Sequence, residues 1–247
     1  MNIIVPMAGK GQRFLDKDYK QPKPLIDVLG KTMIERTLQS LNIKGNYIFI
    51  VQKEHYTLQI PYILNNAVDK CKIIISDKLT QGQACSVLLA EEYINNDDEL
   101  LIVNSDNYFI YDKKQFLDYL NYVRISNIDG LIFTFIDKQK RTHWSFAKVD
   151  NDNNVIKLEE KIPISDFALN GVFYFKKGAD FVKYAKLMIE KDIKINNEFY
   201  VAPIFNEMIL DRKIIKNYLI EDMISMGTPE ELEEFKKWFL SSNYKLI

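Results

Sequence analysis

Two short segments carry cations suited to phosphate, and a third carries a carboxylate suited to a metal ion. Met7-Ala8-Gly9-Lys10-Gly11-Gln12-Arg13-Phe14 follows the apolar run Ile3-Ile4-Val5-Pro6. Two glycines let the backbone approach a ligand and aim N–H groups at phosphate oxygens, and Lys10 and Arg13 add positive charge to the same loop. The segment is neither a Walker A sequence nor a full G-x-G-x-x-G, because Phe14 stands where the third glycine would be. A plain strand-to-loop turn reads the same residues. In Gln21-Pro22-Lys23-Pro24-Leu25 the prolines hold the backbone extended around Lys23, which suits a lysine aimed at phosphate and also a stiff surface loop. Asn104-Ser105-Asp106-Asn107 ends an apolar run at 100–103. That places Asp106 at the carboxyl edge of a strand, where open α/β sheets bind ligands. A hard cation such as Mg²⁺ takes one or two protein carboxylates along with phosphate oxygens; an Asp/Asn turn is the alternative. Gln81-Gly82-Gln83-Ala84 opens a helical stretch and by itself reads as a helix start capped by Gly82.

The elements that must position these residues alternate in the first half of the chain. Apolar runs at 3–6, 47–51, 72–76 and 100–103 read as buried strands. Helical spacing covers 32–41, 56–68, where Pro61 marks a late start or a kink, and 83–93. This βα repeat predicts an α/β fold with a doubly wound, mostly parallel sheet flanked by helices. The second half changes character. Strand candidates at 130–136, 145–149, 155–158 and 168–175 are joined by polar turns such as Asp150-Asn151-Asp152-Asn153-Asn154, predicting small antiparallel additions to the sheet. Helices are expected at 178–191, 198–210 and 228–240, with a late strand at 214–220. The last helix carries Thr228 as N-cap, Pro229 at the first position and Glu231 three residues after the cap, a capping-box pattern. With no linker or repeat, 1–247 reads as one domain, with a half at about 1–125 and a substrate-side half at about 126–247.

Composition narrows the partners. The 247 residues include 33 basic and 34 acidic side chains, a net charge of −1, so no basic excess marks a nucleic-acid footprint. At 47% hydrophobic and 27% charged the chain has an ordinary globular balance. No apolar run approaches a membrane span, and the N-terminus lacks the pattern of a signal peptide. A cytoplasmic location is expected, with Cys71 and Cys85 as structural thiols. His55 and His143 read as surface or structural histidines.

In their order, Gly-x-Gly-x-Arg-Phe after a strand, Pro-Lys-Pro-Leu, and the helix opening near Lys31-Thr32-Met33-Ile34-Glu35 resemble the sugar-phosphate nucleotidyltransferase family. The resemblance covers nearly the whole chain and implies a Rossmann-like fold related to the GT-A glycosyltransferases. It implies that Ala8, Gly9, Lys10, Gly11 and Arg13 hold an NTP, that Lys23 neutralises the phosphate under attack, and that Gln81, Gly82 and Ser105 lie at the nucleoside. Asp106 becomes the Mg²⁺ ligand. Leu158-Glu159-Glu160-Lys161-Ile162-Pro163 is similar to the family's Glu-Lys-Pro, making Lys161 the grip on the acceptor phosphate, although Ile162 is inserted before the proline. Asn170-Gly171-Val172-Phe173-Tyr174 is similar to the family's Asn-x-Gly-Ile-Tyr strand with one residue fewer. Together with Asn107, Glu198 and Tyr200, Asn170 and Gly171 are implied at the acceptor. Met226-Gly227-Thr228-Pro229 resembles an ending in which an Asp gives a second metal ligand; here Ser225 stands in that position, and Asp222 is the substitute considered.

The implied reaction is an in-line attack of an acceptor phosphate oxygen on the α-phosphorus of an NTP, releasing pyrophosphate. Two anions must meet, so the protein's task is positioning and charge neutralisation, and an already ionised phosphate needs no general base. The compact form and the missing terminal Asp also resemble small capsule-pathway cytidylyltransferases, one type of which activates phosphorylated glutamine with CTP. CTP is therefore the favoured nucleotide, and phosphoglutamine or a sugar 1-phosphate the acceptor, with a homodimer left open. A GT-A glycosyltransferase is disfavoured because Asn104 lacks the first carboxylate of an Asp-x-Asp motif. A nucleotide-binding regulatory subunit without turnover is the rival from another class.

Overall fold

A computed structural model describes residues 1–57 and 59–242. The first half runs β1 (Asn2–Met7), α1 (Gln12–Leu15), α2 (Met33–Leu41), β2 (Asn46–Gln52), α3 (Gln59–Ala67), β3 (Cys71–Ser76), α4 (Gln83–Leu88), α5 (Glu91–Ile94), β4 (Leu100–Val103), β5 (Asn107–Ile110) and α6 (Lys113–Ile125). The second half runs β6 (Gly130–Ile136), β7 (Phe146–Val149), β8 (Val155–Glu159), β9 (Phe167–Phe175), α7 (Gly178–Glu190), α8 (Ala202–Leu210), β10 (Ile215–Leu219), β11 (Asp222–Ser225) and α9 (Pro229–Ser241).

Among the described residues one sheet has the order β10-β6-β9-β4-β1-β2-β3. The strands β4, β1, β2 and β3 are parallel, as the βα repeat requires, and β9 runs antiparallel between β4 and β6. The β7–β8 hairpin hangs from the first part of β9. Helices cover both faces, which is why β4 reads as an unbroken apolar run instead of alternating. One core packs Ile3, Val5, Phe49 and Leu101 beneath Ile34, Leu38 and Phe116. The opposite core packs Ile4, Ile50 and Ile102 against Val87, Phe181 and Phe205. A third cluster joins Phe14 and Val28 to Tyr108, Met226, Phe235 and Phe239, so the first loop and the last helix share one apolar anchor.

Several expected elements shift. The 83–93 helix is two short helices separated around Leu89-Ala90. The 56–68 helix begins at Gln59, the late start that Pro61 allows. The 198–210 helix begins only at Ala202 with Pro203 in its first turn, because Glu198 to Tyr200 form a loop whose backbone is bonded elsewhere. Four elements were not anticipated, the four-residue α1 among them. β5 and β11 pair with each other as a separate ribbon, and neither exceeds four residues. The helix α6 has Asp112 as N-cap and buries Phe116, Leu120 and Val123, a helical spacing that was present to be read.

Among the described residues no helix is long and apolar enough to cross a membrane.

Candidate functional site

The carboxyl ends of β1 and β4, the turn after β8 and the loop before α8 surround a cavity of about 610 Å³. Ala8, Gly9, Lys10, Gly11 and Arg13 form one wall, with Lys23 beneath them. Gly11 and Lys23 meet directly, since a Cβ on Gly11 would lie 3.1 Å from Lys23 Cβ. The residues after Pro22 close into a single 3-10 turn, and this turn rather than an extended strand aims the lysine. Lys23 Nζ reaches Asp106 Oδ2 at 2.5 Å and the Gly227 carbonyl at 3.2 Å. Phe14, buried below, sits 5.5 Å from the same ammonium. Lys10 and Arg13 are exposed and make no hydrogen bond or ion pair among the described residues.

Across the cavity stand Lys161, Tyr200, Glu160 and Glu198. Lys161 takes a left-handed backbone conformation at the end of β8, with φ of 61°, and its ammonium donates to the Tyr200 hydroxyl at 2.7 Å. Burial, followed by a hydrogen bond to the Glu198 carboxylate, pushes the Tyr200 phenol up from its usual range. Lys161, Tyr200 and Glu198 thus form one chain of polar contacts. Glu160 is only 8% exposed. Its carboxyl is pushed up by burial, against the opposing hydrogen bond from Ser145 and the charge of Lys161.

Two glycines hold the halves together. Gly82 has φ of 119°, and a Cβ there would fall 2.5 Å from the backbone N of Phe199. The turn before α4 is laced to that chain by Phe199 N–H to the Gln81 carbonyl (2.8 Å) and Ala84 N–H to the Phe199 carbonyl (3.0 Å). The close approach at Gly82 is therefore to the protein's own backbone. Gly171, with φ of 83°, leaves room for Asn104, whose Nδ2 would lie 2.4 Å from an added Cβ. Asn104 is held in turn by Gln83 Nε2 at 2.6 Å.

The expected residues separate into those on the cavity and those behind it. Ala8, Gly9, Lys10, Gly11, Arg13, Lys23, Gly82, Asn107, Lys161, Asn170, Gly171, Glu198 and Tyr200 line it, and Asp106 reaches it through Lys23. Asn107 and Asn170 are buried; Asn107 Nδ2 donates to the Asn170 carbonyl at 2.8 Å, and Asn170 Oδ1 accepts from the Val172 N–H of its own strand at 3.0 Å. Gln81 is exposed, outside the lining, and contributes its carbonyl to Phe199. Ser105 is behind the wall, its carbonyl accepting from Thr37. Asp222 is corrected: antiparallel pairing puts it opposite Ile110, exposed at the far end of the ribbon, while Ser225 lies opposite Asn107. Asp222 therefore does not join Asp106.

His143 and Trp144 were not singled out for the site, yet both line it. Burial holds His143 below the usual imidazole range, partly opposed by Glu231 and reinforced by Arg141 and Arg13. No motif marks them, since the loop between β6 and β7 reaches the cavity only through the fold.

Residues 2–219 match the family model described as Nucleotidyl transferase. Over 242 residues the chain is 25% identical to the bifunctional protein GlmU of Methanocaldococcus jannaschii, covering 97% of this chain and 54% of that one. The chain thus spans about half the length of the curated relatives it matches. The nucleoside-diphosphate-sugar pyrophosphorylase of Vibrio cholerae RC9 superposes with a TM-score of 0.80 at 25% identity, covering 96% of this chain and all of that one. The inositol-1-phosphate CTP transferase of T. maritima shares the fold, with a TM-score of 0.72 at 14% identity, covering 96% of this chain and 93% of that one. A glycine-rich loop after β1, a carboxylate at the end of β4 and a family match through most of the strands lead to one assignment: the chain belongs to the nucleotidyl transferase family.

Proposed function

We propose that this protein transfers a nucleoside monophosphate from an NTP to a phosphorylated small metabolite and releases pyrophosphate. The observation that carries the reading is the placement of two groups of cations on facing walls of one cavity, Lys10, Arg13 and Lys23 on one side and Lys161 on the other. A cleft with cations at both ends suits two phosphorylated reactants that repel each other, and its work is orientation and charge neutralisation. Arg13 and Lys10 receive the NTP phosphates. Lys23 sits between the walls at the phosphate under attack. Lys161, steadied by Tyr200, grips the acceptor phosphate, and Glu160 and Glu198 take hydrogen-bond donors of its remainder.

The family implies Mg²⁺, and the residues fit it. Asp106 is partly accessible at the strand end, and its oxygen already faces a cation, the Lys23 ammonium at 2.5 Å. Asp106 would hold the ion, which when bound spreads the negative charge of the triphosphate. Lys23, which pairs with Asp106 at 2.5 Å, would be available to phosphate beside that ion.

We favour CTP as nucleotide, and phosphoglutamine or a sugar 1-phosphate as acceptor in surface-polysaccharide precursor synthesis. The sequence resemblance to small cytidylyltransferases supports this choice. The names of the relatives, a nucleoside-diphosphate-sugar pyrophosphorylase and an inositol-1-phosphate CTP transferase, point to phosphorylated polyols as the wider acceptor class. The test is a matrix of four NTPs against phosphoglutamine, sugar 1-phosphates and inositol 1-phosphate with Mg²⁺, read by pyrophosphate release. One NTP should be strongly preferred, with release dependent on the acceptor. Nucleotide binding without release for any pair would make the protein a regulatory binder.

A further inference from the structure

The sequence poses a question at residue 225, where a serine stands in the place of a second metal-binding aspartate, and Asp222 does not answer it. Gly227 does. A Cβ added to Gly227 would have as its three nearest neighbours outside the adjoining residues Glu231 Oε2 at 3.1 Å, Ser225 Oγ at 3.1 Å and Asp106 Oδ2 at 3.5 Å. Two carboxylates and a hydroxyl therefore converge on a space that exists because residue 227 has no side chain. The donor set is all oxygen, the chemistry a hard divalent cation selects. Mg²⁺ holds oxygens at about 2.1 Å, so each must draw in by roughly 1 Å, a shift side-chain torsions supply.

The behaviour of Glu231 is otherwise unexplained. In α2, Glu35 occupies the third helical position and closes its capping box, accepting from the Thr32 N–H at 2.7 Å. In α9, Glu231 holds the same position and its N–H donates to Thr228 Oγ1 at 3.1 Å. Its carboxylate turns away from the cap, however: Oε2 accepts from Ser225 Oγ at 2.9 Å and Oε1 lies 3.7 Å from His143 Nε2. The expected capping box is half made because the carboxylate is committed to the cleft. A cation already waits at its border, since Lys23 Nζ binds both Asp106 and the Gly227 carbonyl.

We propose that Glu231, aimed by Ser225, is the second carboxylate of the divalent-cation site centred on Asp106. The inference rests on the reading of Asp106 as a cation ligand. A short neutral residue at 225, ending β11, and a long acid six residues later, in the first turn of α9, keep the number of carboxylates at two.

The test uses Mn²⁺ as probe, titrated into the full chain with and without CTP and no acceptor, and followed by loss of the free-ion EPR signal. Asp106→Asn and Glu231→Gln should each weaken Mn²⁺ binding roughly tenfold or more. Gly227→Ala, whose methyl fills the space, should do the same without touching a carboxylate. Adding Ser225→Asp to Glu231→Gln should restore affinity to within about threefold, and Asp222→Asn, at the far end of the ribbon, should leave it unchanged. Melting curves in EDTA verify that each variant is folded, and Gly227→Ala gives a second arm if Glu231→Gln disturbs α9. Wild-type affinity in Glu231→Gln or Gly227→Ala, with Asp106→Asn weakened, overturns the proposal, as does a Glu231→Gln loss that Ser225→Asp fails to restore. Wild-type affinity in Asp106→Asn would instead remove the reading of Asp106 on which it stands.

Discussion

At one end of the cavity Arg13 and Lys10 stand exposed with no hydrogen bond or ion pair among the described residues; at the other, Lys161 is tied to Tyr200 and Tyr200 to Glu198. The first end is built by six consecutive residues after β1. The second is assembled from β8, the loop before α8 and the turn before α4, where Gly82 and Phe199 meet across roughly half the chain. An exposed cation loses little by lacking a partner and can follow a mobile triphosphate. A partly buried lysine cannot be left unpaired cheaply, so it is held by a neutral hydroxyl that fixes its direction without cancelling its charge. On the function proposed above, the Arg13 end would take the nucleotide and be tolerant, and the Lys161 end would take the acceptor and be selective.

Asp106, which serves both ends, should give the largest effect. Asp106→Asn is expected to cut pyrophosphate release by a factor on the order of 10² to 10³, with binding of the protein to neither substrate abolished. Turnover close to wild type in that variant would end the metal assignment. Arg13→Met should follow, losing on the order of 10²-fold in kcat/KM through the nucleotide, while the acceptor KM stays put. Equal loss through both substrates would erase the contrast between the ends.

Stability separates the ends as well. Gly82→Ala forces a Cβ against the Phe199 backbone in a left-handed-type conformation. About 3 kcal/mol of destabilisation is expected, a fall in Tm of roughly 6–12 °C for a domain of this size. Gly9→Ala, where an added Cβ meets nothing, should shift Tm by little. Tyr200→Phe should raise the acceptor KM about tenfold, the loss of one hydrogen bond to a charged group, with the nucleotide KM unchanged.

The smallest effect is a matter of pH. Burial raises the Glu160 carboxyl in the folded state above its usual value. Its stabilising contribution is complete below pH 4.5, the ordinary value, and is lost as pH rises through the higher folded-state value. Glu160→Gln should therefore gain Tm over the wild type as pH rises from 4.5 towards 7. A constant difference across that range would mean the carboxyl is not perturbed.

Much of the nucleotide end was legible because its information is local. Apolar runs ending in Gly-x-Gly or in Asn-Ser-Asp-Asn mark the carboxyl edge of a parallel sheet, and alternation of strand and helical spacing gives the sheet its hand and cover. The antiparallel additions were read from short strands and polar turns. Less legible were β5 and β11, four residues each, whose pairing depends on the third apolar cluster around Phe14 and Phe235. His143 and Trp144 carried no motif, Glu160 lay in the Glu-Lys segment where only Lys161 was singled out, and Gln81 and Ser105 carried a motif that the fold uses behind the wall.

The amino-acid order alone determined the βα alternation, the glycine-rich loop after β1 and the position of Asp106 at a strand end, because each follows from backbone preferences and burial within a few residues. Tertiary structure decided what Gly82 and Gly171 make room for, which acid stands near Asp106, and where Lys161 points. Those outcomes depend on which distant segments are pressed together, and the free energy of such contacts is set by packing that no local pattern records.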